Sequence, residues 1–223
     1  MVLDALLATW GATTSAAWCA GQVTAWHRLR GLRHLRDVAA EVPEHWPRLS
    51  VVIAACNEAT TLEAAVATLL ALDYPDLEIV LVDDRSVDAT GALVDRVAAR
   101  DPRVRPVHIR HLPDGWLGKV HALDVGAATA SGEWLLFTDA DVHFAPAALR
   151  QTIALCLAED LDHLVVMPQM ESRTILEDAV VDAVGEHFLR KTRADRIGAP
   201  GSEAYAGIGA FNLVRAAAYR ECG

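Results

Sequence analysis

From Leu49 onward, short apolar runs alternate with stretches of helical periodicity, and this rhythm confines the chain to βα units built around a mostly parallel sheet. Leu49–Ala54, Glu78–Val82, Val104–Ile109, Trp134–Thr138 and His163–Met167 read as strands. Between them, Thr60–Leu72, Asp88–Arg100, Leu117–Ala130 and Pro146–Ala158 read as helices, with Ser86 or Asp88 placed to cap the second and Pro146 near the first turn of the last. After Gln169 the alternation weakens. A helix is expected over Ile175–Arg190, a polar loop over Arg193–Ala204, and a short strand over Ala206–Val214.

Open parallel sheets bind ligands beyond the carboxyl ends of their strands, so the residues that follow each strand are read as one set. After the first strand come Asn57 and Glu58, after the second Asp83 and Asp84, and after the run at Trp134 come Asp139 and Asp141. Five carboxylates and an amide would thus share an edge. In an extended chain, residues i and i+2 point the same way, which would aim Asp139 and Asp141 into one pocket. A hard cation such as Mg²⁺ or Mn²⁺ would relieve their repulsion, and a diphosphate could complete its shell. The alternative is a surface turn in which the aspartates simply end a strand. No G-x-G-x-x-G or G-x-x-x-x-G-K-[ST] loop follows the first strand, so phosphate must be held by other means.

Lys119 is the cation best placed to stabilise a departing diphosphate, because it opens a predicted helix whose N–H groups also favour anions. A solvated surface charge is the alternative. Trp116 could cover a sugar or base, or pack beneath its own loop, and His143 could join the metal or remain at the surface.

The sequence holds 223 residues with a net charge of -10, which argues against a nucleic-acid binder. Cys19, Cys56, Cys156 and Cys222 are scattered, which suggests neither a zinc site nor a disulfide framework. A hydrophobic fraction of 52% is high, and Met1 to Trp26 carries Asp4 as its only charge before a basic flank from His27 to Arg36. Residues 1–36 are therefore expected to form a single membrane anchor, residues 37–48 a linker, and residues 49–223 a catalytic domain on the cytoplasmic side of the cell membrane. A helix lying along the bilayer surface is the alternative; a cleaved signal peptide would carry its basic residues ahead of the apolar run.

Four ordered blocks carry a resemblance to a known family: Leu49 to Glu58, Glu78 to Thr90, Gly118 to Leu123, and Gly132 to Val142. Together they resemble the family 2 glycosyltransferases with the GT-A fold, an α/β architecture, over Leu49 to Gly223. The resemblance implies a nucleotide-diphospho-sugar donor, most simply a UDP-sugar, a divalent cation (Mg²⁺ or Mn²⁺), and transfer with inversion to a lipid, polyprenyl or saccharide acceptor. It implies that Asp84 accepts a hydrogen bond from the nucleobase, with Ala54, Asn57, Glu58, Asp83 and Lys119 also at the donor. Asp139 and Asp141 would hold the ribose and the metal, with Asp141 the main ligand. Trp116, Gly207 and Gly209 would border the transferred sugar and the acceptor, glycine allowing close backbone approach. A sugar nucleotidyltransferase would need a glycine-rich first loop, which is absent after Ala54.

Inverting transfer needs a base for the acceptor hydroxyl. In the family that acid follows the glycine block by a stretch that would lie beyond Gly223. The expectation is therefore a truncated copy or, alternatively, a catalytically incomplete, membrane-tethered nucleotide-sugar binding remnant.

Overall fold

The computed structural model describes residues 2–38 and 41–222, apart from the side chains of Arg28 and Leu29. Residues 39 and 40 of the expected linker, and Gly223, lie outside the described residues. The chain divides into two compact units: residues up to His34 with Gln169–Ala206, and Leu35–Pro168 with the residues from Gly207.

The larger unit is an α/β fold whose strands and helices follow in the order β1 (Leu49–Ala55), α2 (Leu62–Leu70), β2 (Leu77–Asp84), α3 (Thr90–Arg100), β3 (Val104–Ile109), α4 (Gly118–Thr129), β4 (Trp134–Asp139), α5 (Ala148–Ala158), β5 (His163–Val165), β6 (Asn212–Arg215) and α7 (Ala216–Cys222). α1 (Val2–Leu29) and α6 (Ile175–Lys191) belong to the smaller unit. The sheet runs β3-β2-β1-β4-β6-β5. Its first four strands are parallel, while β6 pairs antiparallel with both β4 and β5, so the sheet is mixed. The strand expected to begin at Ala206 starts only at Asn212, and the short α7 at its end carried no sequence signal.

Nearly every residue of β1 and all of β2 are buried because both sheet faces are covered. Leu49, Val51 and Ile53 face a core shared with α2, α3 and α5, whereas Val52, Val80 and Val82 face α4. α4 comes in close because of Gly126, where an added Cβ would sit 2.5 Å from a methyl of Val52. The lower end of the sheet is tied by Glu78, whose buried carboxylate accepts hydrogen bonds from Ser50, the Ser131 amide and hydroxyl, and Arg105. Burial pushes its pKa up, but the bonds from Ser131, Ser50 and Arg105 outweigh that and hold it at about 2.

In the smaller unit, α1 runs for 28 residues, enough to cross a hydrocarbon core at 1.5 Å per residue. Its composition is the obstacle. Thr9, Thr13, Thr14 and Thr24 are spaced along it, each hydroxyl turned back onto a helix carbonyl, with Gly11, Ser15, Gly21 and Gln22 between them. No helix among the described residues is long and apolar enough to cross a membrane, which corrects the expectation of a single N-terminal span. The cell-membrane location with a cytoplasmic catalytic domain rested on that span and falls with it. α6 begins with a capping box between Thr174 and Glu177.

Candidate functional site

The site grows from three strand ends. β1 closes at Ala55, and Asn57 turns the chain with φ 60°. Asn57 supports this turn itself: its side-chain oxygen accepts from the Val87 amide at 2.9 Å, and its own amide donates to the Ser86 hydroxyl at 3.0 Å. The Glu58 amide donates to Thr90 at 2.8 Å, which laces the loop after β1 to the loop after β2. Asp88 accepts from the amide and hydroxyl of Thr90, so it holds the start of α3 from just outside the helix.

At the end of β2, Asp83 and Asp84 are neighbours and therefore point to opposite faces. Asp83 turns toward α3, where it accepts from the Ser86 amide at 3.2 Å and meets His108 Nδ1 at 3.0 Å. The other ring nitrogen of His108 lies 2.9 Å from Asp95. The hydrogen bonds with Asp83 and Asp95 raise the pKa of His108; for Asp83, burial raises the pKa but the bonds from Ser86 and His108 prevail and lower it. Asp84 faces the other way, into a cavity. Arg85, at φ 56°, folds back so that its Nε and Nη2 donate to the two Asp84 oxygens at 2.7 and 3.0 Å.

Helix α4 starts beside this pair at Gly118, and no side chain caps its first turn. The next residue, Lys119, donates to Asp139, the last residue of β4. Beyond Asp139 the extended geometry stops: Ala140 is buried and Asp141 is exposed in a turn. Gly209 approaches from the segment before β6, where an added Cβ would sit 2.9 Å from an Asp139 carboxylate oxygen.

These pieces enclose a cavity of about 500 Å³ at the carboxyl end of β1, β2 and β4. Its charged lining comprises Glu58, Asp84, Asp139 and Asp141 against Arg85 and Lys119, with Ala54, Ala55, Cys56, Gly118 and Ala140 completing the wall. Four carboxylates against two cations leave two negative charges, the amount that a divalent ion neutralises. Among the described residues no three His, Cys, Asp or Glu side chains converge to hold a metal by themselves. The two oxygen-donor side chains Asp139 and Asp141 share the pocket, and they suit Mg²⁺ or Mn²⁺ when a diphosphate supplies the remaining ligands.

Of the residues singled out from sequence, Ala54, Glu58, Asp84, Lys119, Asp139 and Asp141 line this cavity. Asn57 and Asp83 do not, and instead brace the loops around it. Trp116 lies outside the lining, half-exposed and edge-on to His121 with ring centroids 5.3 Å apart. Gly207, Gly209, which touches the cavity only through Asp139, and the exposed His143 are also outside it. Sequence reasoning missed Arg85 and Gly118. Their signal was an arginine directly after the acidic pair, and a glycine directly before the lysine.

The fold and this acidic pocket define an α/β domain whose ligand site lies beyond the carboxyl ends of its strands. The chain belongs to glycosyl transferase family 2, whose family model matches residues 50–223. It is 38% identical over 107 residues to the succinoglycan biosynthesis protein ExoO of Rhizobium meliloti, covering 48% of this chain and 29% of that protein. It is 34% identical over 104 residues to the GalNAc(5)-diNAcBac-PP-undecaprenol beta-1,3-glucosyltransferase of Campylobacter jejuni, covering 46% and 32%. The matched segment thus spans about a third of each curated relative. Among solved structures, the mannosyltransferase PcManGT of Pyrobaculum calidifontis, in complex with GDP-Man and Mn²⁺, superposes with a TM-score of 0.65 at 22% identity, covering 95% of this chain and 56% of that one. TarS of S. aureus in complex with UDP-GlcNAc gives 0.57 at 20% identity, covering 78% and 47%. At these identities the likeness establishes the fold.

Proposed function

We propose that this chain binds a nucleotide-diphospho-sugar in the strand-end cavity with a divalent cation and, as part of a glycosyltransferase, transfers the sugar with inversion. The single observation that carries the proposal is the meeting of Asp84, Lys119, Asp139 and Asp141 in one cavity of about 500 Å³. The complexes of GDP-Man and Mn²⁺ with PcManGT and of UDP-GlcNAc with TarS support the class of donor and the cation. The undecaprenol-linked substrate named for the Campylobacter relative supports a lipid-linked or saccharide acceptor.

In this reading Asp84 accepts an N–H from the nucleobase, and the uncapped first turn of α4 directs its amides toward the diphosphate. The acceptor oxygen attacks the anomeric carbon from the face opposite the phosphate. The carbon–oxygen bond to the diphosphate breaks, its electron pair stays on the phosphate oxygen, and the hydroxyl proton passes to a base. No residue of this chain is assigned as that base. Lys119 leaves Asp139 for the departing phosphate and stabilises its growing negative charge. A bound cation held by Asp139 and Asp141 would act there as a Lewis acid, stabilising the same charge.

Calorimetric titration with UDP, GDP and their sugars, with and without Mn²⁺, tests the reading. Asp141→Asn should abolish the metal-dependent part of donor affinity with the fold intact, and Asp84→Ala should weaken nucleotide binding even without metal. Unchanged affinity in both variants would overturn the assignment. Saturable donor binding without hydrolysis or transfer would point to the donor-binding remnant instead.

A further inference from the structure

Asp83 is buried beside the cavity without lining it, and a chain of hydrogen bonds leads from it to the rim. Its Oδ1 accepts from the Ser86 amide at 3.2 Å, and the Ser86 hydroxyl accepts from the Asn57 amide at 3.0 Å. The Asn57 side-chain oxygen in turn accepts from the Val87 amide at 2.9 Å. Two left-handed residues are fixed by this chain, Asn57 at φ 60° and Arg85 at φ 56°. For a residue with a Cβ such a backbone is costly and persists only where its surroundings hold it. Cys56 and Glu58 flank the first of these turns, Asp84 and Arg85 belong to the second, and all four line the cavity.

The other oxygen of Asp83 is held by His108, its neighbour in register on β3. Nδ1 of the ring lies 3.0 Å from Asp83 Oδ2, and Nε2 lies 2.9 Å from Asp95 Oδ1 on α3. Gly91 lets α3 come this close, since an added Cβ would sit 2.8 Å from the same Asp83 oxygen and 3.8 Å from the His108 ring. Ionised carboxylates only accept, so both ring nitrogens donate and the ring is an imidazolium. Among the described residues, Asp83 from β2 and Asp95 from α3 are the charged groups that face it, and their hydrogen bonds raise its pKa. A neutral ring keeps a single N–H. That proton belongs with the buried Asp83, while Asp95, 64% exposed, can turn to water. We infer that His108 is a positioning residue for the donor site, clamping Asp83 to α3 and so fixing the two left-handed turns that shape the cavity, more firmly when both ring nitrogens carry protons. The inference rests on the donor reading of the cavity.

The experiment is calorimetric titration of UDP and GDP, each with Mn²⁺, into the wild type, His108→Leu, His108→Asn and Asp95→Ala from about pH 6 to about pH 8.5, with folding checked by circular dichroism. Dividing each affinity by that of His108→Leu at the same pH cancels titration of the nucleotide and the metal. For the wild type the ratio should be at least about fivefold at the acid end, part of what one hydrogen bond to a charged group is worth, and should shrink on the alkaline side of pH 6.5. His108→Asn, whose amide nitrogen replaces Nδ1 against Asp83, should lie between the two and not vary with pH. Asp95→Ala should keep the acid-end ratio but begin its fall at lower pH, because one of the two carboxylates that favour the imidazolium is gone. Equal affinities in the wild type and His108→Leu would overturn the inference, as would a ratio constant with pH that His108→Asn does not restore, which is the mark of simple packing. Should His108→Leu fail to fold, identical pH profiles for the wild type and Asp95→Ala would overturn it. A wild type that bound neither nucleotide at any pH would sink the donor reading and the inference with it, a result distinct from equal binding by all four proteins.

Discussion

Replacing Glu78 with glutamine isolates what holds the lower end of the sheet. The carboxylate joins β1 through Ser50, β3 through Arg105 and the turn before β4 through Ser131. Its pKa is lowered from 4.5 to about 2, because the hydrogen bonds outweigh the opposing effect of burial. A folded value below the unfolded one means that the stabilisation is present in full above pH 4.5 and is lost as pH falls through about 2. At about 1.4 kcal/mol per pH unit, the interval corresponds to about 3 kcal/mol at neutral pH and about half of that at pH 3. The amide of Glu78→Gln keeps an acceptor for Ser131 but loses its charge and turns N–H groups toward other donors. Urea unfolding at pH 7, followed by fluorescence of the buried Trp134, should show a loss of about 3 kcal/mol that shrinks to about half at pH 3. Nucleotide affinity at pH 7 should not change, because Glu78 lies about 20 Å along β2 from Asp84. A loss below about 0.5 kcal/mol at pH 7, or one independent of pH, would refute the reasoning.

Three further outcomes follow from other contacts. Gly126→Ala should destabilise the fold by about 1 to 2 kcal/mol in urea unfolding, since the Cβ would land 2.5 Å from Val52 and 3.0 Å from Val82, more than the gain in helix propensity offsets. The His108 bridge should stabilise fully below pH 6.5 and fade as pH rises through the raised folded value; at the acid end the depressed Asp83 loses its contribution as pH falls below 3.8. Thermal unfolding midpoints should therefore fall on the alkaline side of pH 6.5 in the wild type but stay flat there in His108→Gln. Lys119→Met should leave stability within about 0.5 kcal/mol, as expected for an exposed pair, while raising Mn²⁺ affinity severalfold by freeing Asp139 and slowing donor turnover; weaker Mn²⁺ binding would contradict it.

The first four strands and their helices were legible because each pairs an apolar run with a helical period, and Val104–Ile109 matches the observed β3 at both ends. The ends of the helices drifted where capping was indirect: Asp88 bonds to Thr90, yet the helix begins at Thr90 rather than at Asp88. The glycine-rich segment before β6 read as strand because its apolar residues carry no sign that Gly209 is drawn against Asp139. At the site, strand-end position pointed to Asp84, Asp139 and Asp141 and helix-start position to Lys119, and these four side chains line one cavity. The rule that successive strand residues face opposite sides would have separated Asp83 from Asp84, but treating them as one acidic pair concealed it. The pairing of Arg85 with Asp84 depends on a left-handed backbone that a non-glycine residue rarely adopts, so sequence carried little trace of it. The N-terminal segment misled for a different reason: length was sufficient, and the hydroxyl and glycine positions within it were given too little weight.

The most direct measurement is a crystal structure of the chain grown with a nucleoside diphosphate and Mn²⁺, using the anomalous signal of manganese to locate the ion. The account predicts manganese bound by Asp141 or Asp139 and by diphosphate oxygens, the base against Asp84, and the Lys119 ammonium moved from Asp139 to phosphate. Nucleotide found elsewhere on the molecule, or bound in the cavity with manganese touching neither aspartate, would contradict it.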